Sequence, residues 1–347
     1  MKYALIGCSR ISDKHLAAAR DNGLEICAVA DLYQSKTDEV IERNRLDENS
    51  IGKYTDHRLM LETEQPKLVS IATGSGSHAS IALDCIERGV NVIIEKPMAM
   101  SIADANKIIE RSKARNVKVA VCHQNRFNPA VQKTHRAMVE GHFGKLSHGS
   151  IHVRWNRNRD YYEQASWRGT WKQDGGCLMN QCIHSIDILR WIIGGGIISV
   201  CGKTGRRFHS YLEAEDVGLA IVTFSNGTLA TIEGTTNVFP RNLEETLYIF
   251  GENGTVKLGG KSMNSIEVWN FADEFDPTIE VAATGHSALF KDMIEAMRDD
   301  REPYVNAQAG KDALELVLAI YKSSAEGRPV QLPLEDCSTT DFVGLFD

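Results

Sequence analysis

The sequence predicts an α/β protein: a domain with a doubly wound parallel sheet, followed by an α+β domain with a large, mostly antiparallel open sheet. Residues 1–122 alternate short apolar runs with helical stretches, which is typical of βαβ units. After residue 122 the chain changes to strand-like runs joined by tight turns, and Asn226-Gly227 is a strong hairpin signal. We therefore expect domains at 1–122 and 123–347, with the final helices able to pack back on the first domain.

The elements of the first domain follow from apolar runs of four to six residues, rich in Val, Ile and Ala and bounded by Gly or polar clusters. Longer amphipathic stretches lie between these runs and favour helices. Strands are predicted at 3–6, 25–30, 68–72, 91–94 and 118–122, and helices at 12–21, 35–45, 78–88 and 101–115.

The second domain begins with a helix that ends at Gly141 and continues with period-two alternation, as expected for half-buried strands. Two amphipathic helices close the chain. The predicted helices are 128–140, 285–299 and 308–326, and the predicted strands are 148–155, 197–204, 217–224, 228–236, 244–250 and 254–258.

Composition excludes several classes of protein. A net charge of −7 over 347 residues argues against general nucleic-acid binding, which needs a basic surface. No apolar run reaches the ~20 residues that cross a bilayer, and the first residues form a short strand rather than a signal peptide. The eight cysteines include no Cys-x-x-Cys pair. We expect a cytoplasmic protein with reduced thiols and no membrane partner.

A metal site is not expected. Cys177, Cys182 and His184 lie close in sequence, but the two cysteines are five positions apart. Structural zinc sites usually place two to four residues between paired ligands and supply a second pair elsewhere.

A glycine turn after the first strand indicates nucleotide binding. Gly7 fits the first glycine of the dinucleotide fingerprint, whereas Ser9 and Ser12 replace small residues later in it. Asp31 ends the second strand, where a carboxylate binds ribose hydroxyls and repels a 2′-phosphate. The alternative is a tight turn and a helix-capping aspartate. In a βαβ context, these residues predict a Rossmann domain that prefers NAD to NADP.

The loop that begins at Thr73 and opens a helix at His78 follows another buried strand. Open α/β sheets bind ligands at such strand ends, although a glycine loop with Ser77 as N-cap is the structural alternative.

The segment Gly175–Asp187 carries three polar groups on an apolar background. Asn180, His184 and Asp187 share one face if the segment is a regular helix, because positions i, i+4 and i+7 align. Buried polar groups need partners, and a bound polar substrate would supply them.

Glu95-Lys96-Pro97 after a strand, together with the segment Gly175–Asp187, resembles the glucose-fructose oxidoreductase / inositol dehydrogenase family. The resemblance covers nearly the whole chain. Within the family the chain is most similar to bacterial UDP-N-acetyl-glucosaminuronate 3-dehydrogenases. The stretches that carry this similarity are 123–129, 167–171, 179–181, 237–254, His286, 301–303 and 327–330.

The resemblance implies roles for particular residues. His184 would be the base that takes the proton from a secondary alcohol, and Lys96 would contact the same hydroxyl and the nicotinamide ribose. The usual family pattern has aspartate where this chain has Asn180, so we expect Asn180 to orient the substrate rather than act as a base. Asp187 is expected to be structural. The cofactor-binding residues would be Gly7, Ser9, Arg10, Ile11, Asp31, Thr73, His78, Glu95, Lys96, Gln124, Trp167 and Arg168, and the substrate-binding residues would be Lys96, Arg154, Arg157, Arg159, Asn180, His184 and Thr235.

Residues 154–172 are rich in basic and aromatic side chains in an otherwise acidic chain. Guanidinium groups bind phosphate and carboxylate well, and aromatic rings stack on bases. The alternative is a solvated strand edge with aromatics in the core or a subunit interface. Trp167 and Arg168 could lie against either the cofactor or the substrate. The exposed sheet favours a homo-oligomer, and the resemblance implies a tetramer.

The expected function is NAD-dependent oxidation of the carbon-3 hydroxyl of a UDP-N-acetyl-glucosaminuronic acid, a step toward diamino sugars of surface polysaccharide such as lipopolysaccharide. One alternative is a dehydrogenase of a free sugar or inositol. A second, from another class, is a non-catalytic protein that senses NAD.

Overall fold

The computed structural model describes residues 1–279 and 284–347. Contacts divide the chain into two compact units. The first comprises Met1–Gln124 and a later segment that ends at Lys311, and the second begins at Asn125 and includes Asp312–Asp347. Among the described residues, no helix has the length and apolar character that crossing a membrane requires.

The first unit contains a six-stranded sheet in which every strand pair is parallel. Its strands are β1 (Lys2–Ile6), β2 (Glu25–Ala30), β3 (Gly52–Tyr54), β4 (Leu68–Ile71), β5 (Asn91–Ile94) and β6 (Val119–Val121). Their spatial order is β3-β2-β1-β4-β5-β6. The order reverses beside β1, which places the ligand crevice at the carboxyl ends of β1 and β4. The predicted doubly wound sheet is confirmed.

Helices separate these strands. They are α1 (Ser12–Asp21), α2 (Gln34–Arg43), α3 (His57–Glu64), α4 (His78–Glu87) and α5 (Ile102–Arg115). Val92, Ile93 and Ile94 are fully buried, as expected for a strand whose two faces are both covered by helices. The short strand β3 and the helix α3 were not predicted.

The second unit contains an eight-stranded sheet in the order β13-β12-β11-β7-β10-β9-β8-β14. Among these described strands only β7 and β10 pair in parallel, so the prediction of a mostly antiparallel sheet is confirmed. The strands are β7 (Leu146–Arg154), β8 (Ile197–Gly205), β9 (Val217–Phe224), β10 (Leu229–Thr235), β11 (Glu244–Gly251), β12 (Gly254–Gly259), β13 (Ser265–Phe271) and β14 (Val330–Gln331). The last two strands were not predicted.

One face of this sheet is covered and the other is open. Along β9 buried and exposed residues alternate, and Leu219 and Ile221 are 52% and 55% exposed. Such alternation follows from the two-residue period of a strand. The helices of this unit before β8 are α6 (Pro129–Val139), α7 (Arg159–Glu163) and α8 (Ile183–Ile193), and α8 packs against β7 and β11.

Two further helices follow, α9 (Gly285–Arg298) and α10 (Ala307–Glu326). The helix α9 belongs to the first unit and packs on α1. Asn22 Nδ2 donates a hydrogen bond to the Ser287 carbonyl at 3.0 Å, and the Phe290 ring lies 5.7 Å from the Tyr3 ring. A segment from late in the chain therefore completes the core beneath β1.

The segment Gly175–Asp187 is not the single regular helix that we expected. Leu178–Cys182 forms a π-helical turn, and the α-helix begins only at Ile183. A π turn has more residues per turn than an α-helix, so the 3.6-residue alignment of Asn180 with His184 does not hold across it. Asn180 and His184 are half-buried, whereas Asp187 is fully buried.

Candidate active site

The backbone after β1 requires glycine at position 7. Gly7 has φ +98°, and a Cβ built on it would lie 2.5 Å from the Ala72 carbonyl carbon at the end of β4. A side chain would therefore collide with backbone in a region of φ that L-residues rarely adopt. The close approach of the two strand ends matches the glycine role in dinucleotide loops. Ser9 and Arg10 are exposed in this loop and Ile11 is half-buried.

Asp31, directly after β2, is held by the same loop. Its Oδ2 accepts the Cys8 backbone N–H at 2.9 Å, and its Oδ1 accepts the Tyr33 N–H at 3.1 Å. Each carboxylate oxygen can accept a further hydrogen bond, so Asp31 can bind ribose hydroxyls. The glycine turn and the fixed carboxylate fit the adenosine half of NAD.

Thr73 and His78 connect two loops of the first unit. The His78 ring nitrogens lie 2.8 Å from the Pro97 carbonyl oxygen and 3.1 Å from the Thr73 carbonyl oxygen. Burial lowers the pKa of His78, and the two carbonyl oxygens, which accept from its ring N–H groups, oppose that shift only in part. The Lys96–Pro97 peptide bond is cis. His78 thus fixes the loop that carries Lys96 against the loop after β4.

Glu95 is the centre of a buried polar cluster beside Lys96. Its Oε1 accepts hydrogen bonds from His15 Nε2 at 3.1 Å and His286 Nε2 at 2.9 Å. Its Oε2 accepts the Lys96 backbone N–H at 3.2 Å. Burial alone would raise the pKa of Glu95, but the two imidazoles outweigh it and hold the pKa well below its usual range. Glu95 therefore ties the Lys96 backbone to α1 and α9.

Cys122 lies beside this cluster. The donor atoms of His15, Glu95, Cys122 and His286 all lie within 4.8 Å of one another. Burial raises the pKa of the Cys122 thiol well above its usual value. Since both imidazole Nε2 atoms are hydrogen bonded to Glu95, we interpret the group as a hydrogen-bonded network.

The Gly175-Gly176 turn, which precedes the π-helical segment, packs closely against the buried side chain of Glu215. Gly175 and Gly176 both have positive φ, and a Cβ on Gly176 would overlap the Glu215 carboxylate. Glu215 Oε1 accepts the Leu178 N–H at 2.7 Å and the Tyr321 hydroxyl at 2.8 Å. Burial raises the pKa of Glu215 well above the usual carboxyl value, which favours the protonated form.

Asp187 forms an ion pair with Arg126. Its two oxygens accept hydrogen bonds from the Arg126 guanidinium, and both residues are buried. A carboxylate committed to such a pair holds α8 in place. This contact fits the expected structural role of Asp187.

The basic residues of 154–172 separate into two groups. Arg154 forms ion pairs with Glu233 and Glu244 on the neighbouring strands, both at 2.5 Å. Arg159 has a side chain that is 68% exposed and pairs with Glu163 one helical turn away. Both charges are balanced within the protein, so we do not carry these two residues into the proposed substrate site.

Arg157 and Arg168 instead converge on Tyr161. The Arg168 guanidinium carbon lies 4.0 Å from the centroid of the Tyr161 ring, and that of Arg157 lies 5.1 Å from it. Arg168 also lies 5.5 Å from the Trp167 ring. Its Nε and Nη1 atoms are buried without a hydrogen-bond acceptor among the described residues. Arg168 as a whole is half-buried, and guanidinium donors that the protein leaves unused can bind an anion.

Residues that the sequence did not single out complete this part of the second unit. Gln181 accepts the Arg157 Nε–H at 2.9 Å and donates to Asn180 Oδ1 at 2.9 Å. Asp174 accepts a hydrogen bond from Asn180 Nδ2. Asp174 directly precedes the Gly175-Gly176 turn, and Gln181 lies within the segment Gly175–Asp187. No periodicity of the sequence distinguishes either residue.

Two more predicted residues have defined surroundings. Thr235 donates its hydroxyl to the Asp216 carbonyl at 3.2 Å, which commits it to the loop before β9. Gln124 Oε1 is buried without a hydrogen-bond partner in the described part of the chain. A buried acceptor without a donor is rare, and a bound ligand that donates would satisfy it.

Family comparisons agree with this geometry. Residues 1–123 match the oxidoreductase family with an NAD-binding Rossmann fold, and residues 131–257 match the GFO/IDH/MocA C-terminal domain. The predicted NAD-binding domain is confirmed.

Individual relatives act on different sugars. A D-apiose dehydrogenase from Paraburkholderia graminis is 27% identical, covering 95% of this chain and 89% of its own. The scyllo-inositol 2-dehydrogenase (NAD(+)) of Bacillus subtilis is 22% identical over 98% of both chains. The WlbA dehydrogenase of Bordetella pertussis, solved with NADH and UDP-GlcNAcA, is 32% identical, covers 96% of this chain and 99% of its own, and superposes with a TM-score of 0.88.

Proposed function

Because this chain belongs to the GFO/IDH/MocA family of oxidoreductases, we propose that it oxidises the carbon-3 hydroxyl of UDP-N-acetyl-glucosaminuronic acid to the 3-keto sugar, with NAD as the acceptor. The likeness to the WlbA dehydrogenase carries this choice, because that structure holds UDP-GlcNAcA and matches the chain over nearly its whole length. The 3-keto product is an electrophile for an amine donor, which suits the synthesis of diamino sugars for surface polysaccharide.

Arg157, Arg168 and Tyr161 support an anionic substrate. A UDP-sugar acid carries two phosphates and a carboxylate, whereas a free sugar carries no charge. Burying guanidinium donors without acceptors costs free energy unless an anion pairs with them. We assign Arg168, with its unused Nε and Nη1 donors, to one of the anionic groups of the bound nucleotides and sugar.

Lys96 and His184 are the proposed catalytic residues. The neutral imidazole of His184 would accept the hydroxyl proton of the substrate. The ammonium of Lys96 would hydrogen bond to the same oxygen and stabilise its developing negative charge. Bound NAD supplies the hydride acceptor, held by Gly7, Asp31 and the Lys96 loop.

Asn180 is the proposed substrate-orienting residue. Its amide has no proton to give or take in catalysis at neutral pH, so its contribution is hydrogen bonding. This leaves proton transfer to His184 and charge stabilisation to Lys96.

A second candidate is an NAD-dependent dehydrogenase of a free sugar or inositol. The full-length matches to D-apiose dehydrogenase and scyllo-inositol 2-dehydrogenase favour it. It would use the same Lys96 and His184. The family match identifies an oxidoreductase, so a purely NAD-sensing protein is not retained as a candidate.

The test is NADH formation, followed by its absorbance, with matched substrates. We expect reduction of NAD with UDP-N-acetyl-glucosaminuronic acid, much slower reduction with UDP-N-acetylglucosamine, whose sugar is uncharged, and none with myo-inositol or D-apiose. UDP should inhibit competitively, and the Michaelis constant should rise with salt because screening weakens charge pairing. Equal efficiency with a free sugar, without inhibition by UDP, would transfer the assignment to the second candidate.

Arginine variants sharpen the same test. Arg168→Gln should raise the Michaelis constant for the UDP-sugar acid or for NAD by roughly tenfold or more, since a hydrogen bond to a charged group is worth about 1.5–3 kcal/mol. A higher Michaelis constant for the UDP-sugar acid would mean that Arg168 faces the substrate. A higher Michaelis constant for NAD would mean that it faces the cofactor. Arg159→Gln is the matched control, because that arginine is exposed and paired with Glu163. It should leave both constants unchanged.

We also propose that the open face of the second unit's sheet packs against another copy of the chain in a homotetramer. Leu219, Ile221 and Leu229 are exposed on neighbouring strands of this face. Large apolar side chains in one exposed patch favour association. Sedimentation velocity should give four times the mass of the chain, and Ile221→Lys should reduce it. A monomer at micromolar concentration would contradict the assembly.

A further inference from the structure

Four polar side chains of the second unit, one of which is Asn180, form a row of hydrogen bonds. The Arg157 Nε–H donates to Gln181 Oε1 at 2.9 Å, and Gln181 Nε2 donates to Asn180 Oδ1 at 2.9 Å. Asn180 Nδ2 then donates to Asp174 Oδ1. We call these residues, Arg157, Gln181, Asn180 and Asp174, the amide row. Asp174 and Gln181 are buried, and Arg157 and Asn180 are half-buried.

The two ends of the amide row decide the orientation of both amides. Oxygen and nitrogen of a side-chain amide have nearly the same shape, so their neighbours determine which way each faces. A guanidinium can only donate, and an ionised carboxylate can only accept. Arg157 therefore requires the Gln181 oxygen, and Asp174 requires the Asn180 nitrogen. The contact between the two amides agrees with both requirements.

Two further hydrogen bonds, one to Gln181 and one to Asp174, hold these side chains in the same orientations. The second N–H of Gln181 donates to the Tyr161 hydroxyl at 2.8 Å, which uses the remaining donor of that amide. Asp174 Oδ2 accepts the Gly169 backbone N–H at 2.6 Å. A flipped Gln181 would oppose two donors at Arg157, and a flipped Asn180 would oppose two acceptors at Asp174. Each such mismatch would leave a donor or an acceptor without a partner, which costs free energy.

We propose that the amide row sets the orientation in which Asn180 meets the substrate, so that Asp174 and Gln181 are positioning residues that determine substrate recognition. This inference rests on the proposed contact between Asn180 and the substrate. It also gives a physical reason why this chain has asparagine where its relatives are expected to have aspartate. An ionised aspartate at position 180 would place two carboxylates against each other.

The charges around Asn180 and Asp174 make that conflict specific. Within the second unit, the groups that interact with Asp174 or with the row include Arg157, Glu215, Tyr161 and Tyr162. Burial raises the pKa of the Glu215 carboxyl well above its usual value, and it also raises the pKa of the Tyr162 hydroxyl. Arg157 is separated from Asp174 by two amides. An added carboxylate at position 180 would thus meet Asp174 without Arg157 between them.

Exchanging the carboxylate of position 174 with the amide of position 180 tests the amide row. In Asn180→Asp the two carboxylates can coexist only by sharing a proton, so the variant should be destabilised at pH 8 and recover much of the loss at pH 5. In the double variant Asp174→Asn/Asn180→Asp every contact can be rebuilt. The amide now at position 174 accepts the Gly169 N–H through its oxygen and donates through its nitrogen to the carboxylate now at position 180. That carboxylate still accepts from Gln181.

The first readout is the thermal midpoint between pH 5 and pH 8, which needs no substrate. We expect Asn180→Asp to lose stability as pH rises, relative to wild type, and the double variant to run parallel to wild type. Asp174→Asn alone should be destabilised at every pH, because Gly169 and Asn180 donate to different oxygens of Asp174, and in the variant one of them would face the amide NH2 group. A double variant no more stable than Asn180→Asp at pH 8 would overturn the row.

The second readout is the Michaelis constant at pH 8 for whichever sugar the wild type oxidises, nucleotide-linked or free. Asn180→Asp should raise it roughly tenfold, the equivalent of one hydrogen bond of about 1.4 kcal/mol. Asp174→Asn keeps the substrate-facing amide of Asn180 but disturbs its acceptor, so it should also raise the Michaelis constant, with turnover changed much less. Arg159→Gln is again the control. An unchanged Michaelis constant in Asp174→Asn would leave Asp174 a purely structural residue.

These outcomes separate the inference from the proposed function. If the wild type oxidises a free sugar and not the UDP-sugar acid, the proposed substrate fails while the pH series and the charge exchange still decide the amide row. If the UDP-sugar acid is oxidised but the exchange restores nothing, the row fails alone.

Discussion

Arg126 and Asp187 form a buried bidentate ion pair, with Arg126 Nε 2.7 Å and Nη2 2.6 Å from the two carboxylate oxygens. The Arg126 guanidinium also lies 5.0 Å from the centroid of the Trp191 ring. Since Asp187 lies one turn after His184 on α8, the pair fixes the helix that carries the proposed base.

Removing one member of this pair should be costly. Asp187→Asn would leave the Arg126 charge buried and uncompensated, a loss of about 3–5 kcal/mol for pairs of this kind. We expect a clear fall in the urea midpoint of unfolding. Arg126→Met/Asp187→Leu removes both charges and should be more stable than Asp187→Asn. A single variant as stable as the wild type would mean that the pair contributes nothing to the second unit.

Cofactor choice should depend on Asp31. The wild type should bind NAD at least tenfold more tightly than NADP, equivalent to about 1.4 kcal/mol, because the carboxylate repels a 2′-phosphate. Asp31→Asn keeps the shape and removes the charge, so the ratio measured by calorimetric titration should shrink. Asp38→Asn, a nearby exposed carboxylate paired with Lys53, is the control. Equal affinities in the wild type would place Asp31 outside the ribose site.

Lys96 and His184 should each be essential for turnover and dispensable for folding. Lys96→Ala and His184→Ala should lower turnover by a factor on the order of a hundred or more, the range of general acid–base groups. Lys36→Ala, which breaks only a surface pair with Glu39, should keep full activity. Circular dichroism should be unchanged in all three variants. Near-normal turnover of His184→Ala would exclude it as the base.

Glu215 should make stability depend on pH. Its folded pKa lies well above the usual 4.5, so above pH 4.5 the unfolded chain loses a proton that the folded protein keeps. The free energy of unfolding therefore falls as pH rises from about 4.5 toward the folded pKa. Glu215→Gln resembles the protonated acid and lacks this dependence. Its stability relative to wild type, from urea unfolding at several pH values, should increase between pH 5 and 8. A constant difference would contradict the buried neutral carboxyl.

Much of the fold could be predicted because its signals are local. The strands Glu25–Ala30, Asn91–Ile94 and Val217–Phe224 have the predicted bounds, since runs of β-branched residues end at glycine or polar turns. Gly52–Tyr54 and Val330–Gln331 were missed because strands of two or three residues contain too few positions to show a period.

The candidate site likewise contains residues that could be predicted from the sequence and residues that could not. Asp31 and Lys96 could be found because each follows a strand that the pattern identifies. The partners that hold them could not, because they are distant in sequence: His286 meets Glu95 across 191 positions. The π turn was missed because an inserted residue in a helix leaves no compositional signal.

The place of α9 has a consequence for the order in which the chain folds during synthesis. Tyr3 and His15 leave the ribosome long before their partner Phe290, which follows more than 270 positions later. Until α9 emerges, the surface of α1 and β1 that it covers stays exposed to water and to chaperones. Nearly all of the second sheet is translated within that interval. Synthesis of the nucleotide-binding domain therefore starts before that of the second sheet and ends after most of that sheet has been made.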